Sequence, residues 1–433
     1  MVRIQSGAPT LYIEYMLYLY AYNILSILLL PFILLHFIFR VCKKKVDLTR
    51  LGEKLGIAKI QRPDGELIWL HAASVGETFV ALRLMEELSQ DGKYFLLTTC
   101  TTTSAEIVAK QKLPHLIHQY APCDFSFCIN KFLNYWQPSI GIFIESEIWP
   151  NRINLTSQRF KIALLNARMS DRSFARWKLC KGFMSFCLSK FSIILAQSKE
   201  DRVRFELLGA KNAIYAGNIK YSITPPKVNS KDLETIKDQI GNRSVLLAAS
   251  SHEGDEEFIL NCYEKLKKDK LNLLLIIAPR HPIRAEQILN LIKSKGFTCS
   301  RRTQKNPVTL NTDVYLADTI GELSLFYSLA NVSFIGGSLK NGGHNILEAS
   351  FFKTFIIFGP DMSNFKEIAS EYLQNNAAAV FRDETEATNI IKSALNNSQL
   401  IELQNEAAST ILKQKSQILS IYIQHLNTIY NVS

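Results

Sequence analysis

The sequence lacks the usual labels of nucleotide and metal chemistry. Its eight cysteines include no Cys-x-x-Cys pair. Neither a zinc ribbon nor a disulfide framework is indicated, and they read as reduced core residues of a cytosol-facing protein. There is no Gly-Lys-Ser/Thr triplet and no Gly-x-Gly-x-x-Gly run, which removes the P-loop and the dinucleotide fingerprint. No Asp-x-Asp pair occurs, and that argues against a required divalent ion. Acids are outnumbered, 39 Asp and Glu against 50 Lys and Arg, for a net charge of +11. The excess favours anionic partners: nucleic acid, anionic lipid or phosphorylated substrates. What is plentiful is apolar surface, since 47% hydrophobic residues exclude a disordered chain. A chain of 433 residues is too long for one core and predicts two domains of about 150–200 residues plus an extra element.

One long stretch lacks charge altogether. From Tyr15 to Phe39 no Asp, Glu, Lys or Arg occurs. As a helix it would be about 37 Å long, against a hydrocarbon core of about 30 Å. Tyr15, Tyr18, Tyr20 and Tyr22 cluster at one end, and Arg40, Lys43, Lys44 and Lys45 follow the other. Interfacial aromatics and the positive-inside rule then place the rest of the chain in the cytoplasm. The apolar run is too long for a signal peptide and no small-residue cleavage site follows it. Residues 1–45 are therefore expected to be a membrane anchor with a basic flank. Asn23 and Pro31 leave open a helix that lies in the interface instead of spanning it.

Beyond the anchor, apolar runs alternate with amphipathic stretches. Leu67–Leu70, Tyr94–Thr98, Ile140–Ile144, Ile162–Leu165 and Ile193–Leu195 read as strands. The rhythm pauses at the polar stretch Pro225–Lys231 and restarts with Val245–Ala248, Leu273–Ile277, Val314–Leu316, Val332–Ile335 and Phe355–Phe358. Strands alternating with helices predict an α/β fold with parallel sheets. Two similar halves follow, residues 46–225 and 226–433, and the helical last ~40 residues are candidates to cross back to the first half.

The chain is organised around Val332–Ser350. A short strand ends at Gly336-Gly337, and a second pair, Gly342-Gly343, is expected to open a helix near Asn345. Such a turn brings backbone N–H groups close to an anion, and Glu348 would lie within reach of a ribose hydroxyl. The same pattern also serves as plain α/β punctuation. Ligands in doubly wound sheets sit beyond the carboxyl ends of strands. There stand His71-Ala-Ala-Ser-Val-Gly-Glu77, Glu145-Ser-Glu-Ile-Trp-Pro-Asn151, Asn166-Ala-Arg-Met-Ser170, Gly217-Asn-Ile-Lys220 and Pro279-Arg-His-Pro282. His71, His252, His281 and His344 all fall just past predicted strands, and a cleft between the halves is the expected active site. Glu77 at a helix start is either a general base or a capping residue. Glu145 and Glu147 alternate along an extended segment and are expected to face one side. Lys220 and Arg280 suit a departing phosphate, or are solvated surface charge. From Arg152 to Lys190 nine cations stand against one acid, interleaved with Phe174, Trp177, Phe183 and Phe186. That face suits anionic lipid, with a basic helix carrying an aromatic core stripe as the plainer alternative.

Taken together, these motifs resemble the 3-deoxy-D-manno-octulosonic acid (Kdo) transferases of lipopolysaccharide assembly. The likeness runs from the N-terminal anchor to beyond Gly359. It implies the GT-B architecture, two Rossmann-like domains with the acceptor on the first and the CMP-sugar on the second. It also implies inverting transfer of Kdo from the donor substrate CMP-Kdo to a lipid A precursor, at the cytoplasmic face of the bacterial inner membrane. Neither a cofactor, a catalytic metal nor a nucleic-acid partner is implied. By resemblance, Glu77 matches the general base, and Glu147 and Lys220 match positions that stabilise the transition state. Pro279, Arg280, the Gly321-Glu322-Leu323 turn and the segment Asn345, Ile346, Leu347 and Glu348 match the nucleotide contacts. Asp361, Ser222 and Lys353 depart from the family pattern, none at a position with a catalytic role. Rival readings are a membrane-associated GT-B transferase using a UDP-sugar and a lipid acceptor, and a non-catalytic nucleotide-sugar-binding membrane protein.

Overall fold

The computed structural model describes residues 8–42, 47–89, 92–111, 113, 115–222, 227–269 and 271–430. They fall into two compact units, one within Met1–Ser222 and Gln417–Ser433 and the other within Ile223–Ser416. Lys43, Lys44 and Lys45 of the expected basic flank, and Pro225 and Pro226 of the expected linker, lie outside the described residues.

The first unit holds seven strands: β1 (Leu67–Ala72), β2 (Tyr94–Thr99), β3 (Leu116–Tyr120), β4 (Ile140–Ile144), β5 (Lys161–Ala167), β6 (Ile193–Ala196) and β7 (Ala213–Tyr215). Their order is β3-β2-β1-β4-β5-β6-β7 and every pairing is parallel. A parallel sheet is covered on both faces, which is why its inner strands are unbroken apolar runs. Trp69 anchors the core, with its ring centroid 4.8 Å from Phe132 and 5.3 Å from Phe143. The second unit repeats the plan with β8 (Ser244–Ser251), β9 (Leu273–Pro279), β10 (Cys299–Arg301), β11 (Val314–Leu316), β12 (Val332–Ile335), β13 (Phe355–Phe358) and β14 (Ala379–Val380). Their order is β10-β11-β9-β8-β12-β13-β14. Strand order reverses between β1 and β4 in one sheet and between β8 and β12 in the other, the places where doubly wound sheets open a crevice.

Every strand expected from the sequence is present. The four not expected, β3, β7, β10 and β14, are the outer strands of the two sheets. Edge strands are short and half solvated, so Leu-Ile-His-Gln-Tyr or Cys-Ser-Arg carries little apolar signal.

Two expectations fail. The uncharged N-terminal stretch is not one rod but two helices, Ala8–Leu28 and Leu30–Cys42. Among the described residues no single helix is long and apolar enough to cross a membrane; Leu17–Leu28 and Leu30–Phe39 together pass that test only as a pair bent by 55°. Pro31 sits at the break, where its missing N–H and its ring interrupt the helical ladder. Nor does a helix open at Asn345: the segment from Gly342 is irregular, ending in a three-residue 3-10 turn, Ala349–Phe351. The side chains of Ile346 and Leu347 are fully buried in the core, and β13 follows at Phe355, too soon for a longer helix.

The chain ends with the helix Ile418–Tyr430, which packs on the first unit. Tyr422 Oη donates to Gly217 O at 2.8 Å, and Lys161 Nζ donates to Ile429 O at 3.0 Å.

Candidate active site

In the first unit the crevice between β1 and β4 is lined from both strands. His71 belongs to β1 itself, not to the loop beyond it, and is fully buried. Its Nδ1 lies 2.9 Å from Thr98 Oγ1, and its Nε2 faces Glu147 Oε2 at 2.9 Å and the guanidinium of Arg152. Burial, and then the Arg152 charge, push the imidazole down to about 4 against the pull of Glu147. It is therefore neutral near pH 7.

After β1 the chain turns into the helix Val75–Leu88, with Ser74 as its N-cap and Glu77 as its third residue. The pair is a variant of the Ser-x-x-Glu capping box in which the glutamate reaches back to Ala73 N. Glu77 N donates to Ser74 Oγ at 3.3 Å, Ser74 Oγ donates to Glu77 Oε1 at 2.9 Å, and Ala73 N donates to Glu77 Oε2 at 2.6 Å. A carboxylate that only capped the helix would be held down by those donors and the helix dipole. Instead burial, followed by the charges of Glu147 and Glu145, pushes Glu77 up to about 7. One side chain thus caps the helix and carries a carboxyl poised near neutrality, a condition that suits proton abstraction.

Glu145 and Glu147 both act on Glu77 from the turn after β4, but they take different partners. Glu145 has φ +60°, a left-handed turn at the end of β4 that breaks the period of two. Its Oε1 lies 2.9 Å from Lys220 Nζ, whereas Glu147 Oε2 accepts from Trp149 Nε1 at 2.7 Å beside His71. Burial pushes the Glu147 carboxyl up, but the bonds from His71 and Trp149 and the Arg152 charge outweigh it and leave it below its ordinary value. Two adjacent acids are thereby split: Glu147 stays ionised, and Glu77 is poised to lose or take a proton. Lys220 is brought to the site by Asn218, whose Oδ1 accepts from Lys220 N at 3.0 Å.

The second unit gathers its groups at the ends of β8, β9 and β12. Asp255 accepts from Gly337 N at 2.6 Å and from His252 N at 2.8 Å, pinning the Gly336-Gly337 turn. His252 and His344 stack with centroids 4.9 Å apart and share a 2.7 Å contact between their Nε2 atoms. His281 stands edge-on to His252 at 5.7 Å. Pro279 ends β9, buried, and Arg280 follows it, exposed. Burial pushes His344 down to about 4, aided by His252 and Arg280. Asn345 Oδ1 accepts from Leu347 N at 3.1 Å, and burial raises the Glu348 carboxyl against the bond from Asn345 and the charge of Arg280. Arg280, Asn345 and Glu348 thus share one neighbourhood, while Ile346 and Leu347 offer only backbone. The Gly321-Glu322-Leu323 turn opens the helix Leu323–Leu329. Its Glu322 carboxylate is taken by Arg302, at 2.6 and 3.2 Å.

Sequence reasoning missed Arg152, Asp124 and Asp255. Arg152 was visible only as one cation in a basic stretch, yet it is 3% exposed. In that stretch the aromatic half of the expected lipid face turns inward: Phe174 and Trp177 pack on the core and Phe186 is buried. The cationic half, Arg172, Arg176, Lys178 and Lys181, is exposed along with Leu179.

The family profile described as 3-deoxy-D-manno-octulosonic-acid transferase (kdotransferase) matches residues 49–223. The chain is 40% identical over 408 residues to the 3-deoxy-D-manno-octulosonic acid transferase of Rickettsia bellii, covering 93% of this chain and 97% of that protein. It is 37% identical over 333 residues to the transferase of the same name from Haemophilus influenzae, covering 74% and 77%. Among solved structures, a glycosyltransferase from Rickettsia africae shares the fold at 13% identity, with a TM-score of 0.57 over 85% of this chain and 98% of that one. With two parallel-sheet α/β units of the GT-B-like kind and that identity along nearly its whole length, the chain belongs to the Kdo transferases, glycosyltransferases of lipopolysaccharide biosynthesis.

Proposed function

We propose that this Kdo transferase takes its sugar from CMP-Kdo and places it on a lipid A precursor at the cytoplasmic face of the bacterial inner membrane, with Glu77 as general base. The observation that carries the reading is the Glu77 carboxyl, raised to about 7 at the switch point of the first sheet. In the reaction the Glu77 carboxylate accepts the proton of the acceptor hydroxyl as that oxygen attacks the anomeric carbon of Kdo. The bond from that carbon to the phosphate oxygen breaks with its electron pair, leaving CMP, and the configuration inverts. Positive charge that builds on the sugar favours the ionised Glu147, and negative charge on the phosphate favours cations such as Arg280 and Lys220. The backbone of the Gly321–Leu323 turn and Asn345 and Glu348 suit the nucleotide. No metal enters the scheme.

The membrane side rests on the exposed apolar face of the N-terminal helices, Leu17, Ile24, Ile27, Leu28, Phe32 and Leu35, each over half exposed. The opposite face of the first helix is docked on the first unit through Leu19, Tyr22 and Asn23, which suits a bent pair lying along the membrane surface, with Arg172, Arg176, Lys178 and Lys181 meeting anionic headgroups.

Mass spectrometry of the lipid after incubating detergent-solubilised protein with a lipid A precursor and CMP-Kdo made in situ tests the reading. A gain of Kdo mass, retained after EDTA treatment, is expected. No gain, with a UDP-sugar giving one, would overturn it.

A further inference from the structure

The N-terminal apolar helix carries two polar side chains where it meets the first unit, Tyr22 and Asn23. Tyr22 Oη donates to Asp124 Oδ2 at 2.9 Å, and Asn23 Oδ1 accepts from Asn151 Nδ2 at 2.8 Å. Around them the contact is apolar: Leu19 is buried with Phe186 and Cys187, and the Tyr18 ring lies 5.7 Å from Phe183. The apolar contact alone would suffice to dock a helix. The polar pair does something more specific.

Asp124 stands before the first turn of the helix Pro150–Ser157, which has no side-chain cap of its own. It accepts from Asn151 N at 3.1 Å and from Arg152 N at 2.8 Å, and Asn151 Nδ2 returns a bond to Asp124 O at 2.6 Å. Asn151 and Arg152 are each 3% exposed. The Arg152 guanidinium donates to Pro122 O at 2.8 Å and packs against His71 Nε2, and its Nε has no partner among the described residues. A buried guanidinium with one donor unmet is held by the few bonds it does make. His71 Nε2 also faces Glu147 Oε2 at 2.9 Å. A continuous line of hydrogen bonds and close polar contacts therefore runs from the apolar helix to the ionised carboxylate of the catalytic crevice.

We infer that Tyr22 and Asn23 are positioning residues, which through Asp124, Asn151, Arg152 and His71 set the orientation of Glu147. The N-terminal helix is then part of the catalytic scaffold as well as an anchor, and an enzyme whose helix is unseated loses turnover even where membrane attachment is irrelevant. The effect on turnover rests on the role proposed for Glu147; the wiring itself does not.

The test uses full-length protein in detergent, labelled with 5-fluorotryptophan, with the Trp149 resonance assigned by Trp149→Phe. Trp149 reports the site because its indole N–H is bonded to Glu147. Tyr22→Phe and Asn23→Ala are expected to shift that resonance and to lower kcat about fivefold each, the worth of one such bond, with KM for both substrates unchanged. Ile27→Ala, on the exposed face of the same helix, should leave the Trp149 resonance in place. Adding Tyr22→Phe to Arg152→Lys should cost less than adding it to native protein, because both act along one line. An unmoved Trp149 signal, an equal shift from Ile27→Ala, or strictly additive losses would each overturn the inference. A shifted signal with native kcat would overturn the positioning role. The fluorine signal needs no activity, so failure of the transfer reaction itself would register separately.

Discussion

At the scale of the residue, the proposed chemistry turns on Glu77. Its carboxyl is raised, so the fold favours the protonated form; the cost to stability begins as pH passes the ordinary value of 4.5 and is complete above about 7. Glu77→Gln keeps an acceptor for Ala73 N–H and removes the ionisation. We expect the variant to be more stable than native protein by about 1–3 kcal/mol at mildly alkaline pH, with no gain below pH 4.5, as read by chemical denaturation at each pH. Transfer should fall at least about a hundredfold while CMP still binds by calorimetry. In native enzyme the rate should climb as pH rises through about 7, because the base must be ionised. Turnover retained in Glu77→Gln would remove it from the base role. The identity of this residue was legible in Ser-Val-Gly-Glu; its raised carboxyl was not, because that depends on burial and on Glu145 and Glu147, which reach it from the turn after β4.

At the scale of the element, close approaches between strand ends and a returning helix shape the two crevices. A Cβ on Gly336 would lie 2.4 Å from the Ser250 carbonyl oxygen, and Ser250 itself has φ +56°. Gly336→Ala must therefore move β8 against β12, costing about 2 kcal/mol or more in a melt and weakening CMP binding. The final helix holds the other crevice. Tyr422→Phe strips Gly217 O of its donor, a loss of about 1–3 kcal/mol. Because Gly217 leads into Lys220, kcat should fall more than KM in steady-state kinetics. The inner strands were legible because burial on both faces writes an apolar run. The four outer strands were not, and neither was the irregular path after Gly343, where core burial of Ile346 and Leu347 prevails over the helical pattern.

At the scale of the molecule, the net charge of +11 matters where it is exposed. Replacing Arg172, Arg176, Lys178 and Lys181 with alanine should weaken binding to anionic vesicles by about 1 kcal/mol per cation in sedimentation, and flatten its dependence on salt. Unchanged partitioning would leave attachment to the apolar helices alone. The sequence by itself determined the two α/β units and the motif residues at their strand ends, because local periodicity and turn chemistry are carried by neighbours in the chain. It also marked the uncharged N-terminal stretch. Only the tertiary structure decided the partners. Arg152 meets His71 across 81 positions, and Tyr422 meets Gly217 across 205. A buried polar group takes whichever partner packing brings within reach, and no local pattern records that choice.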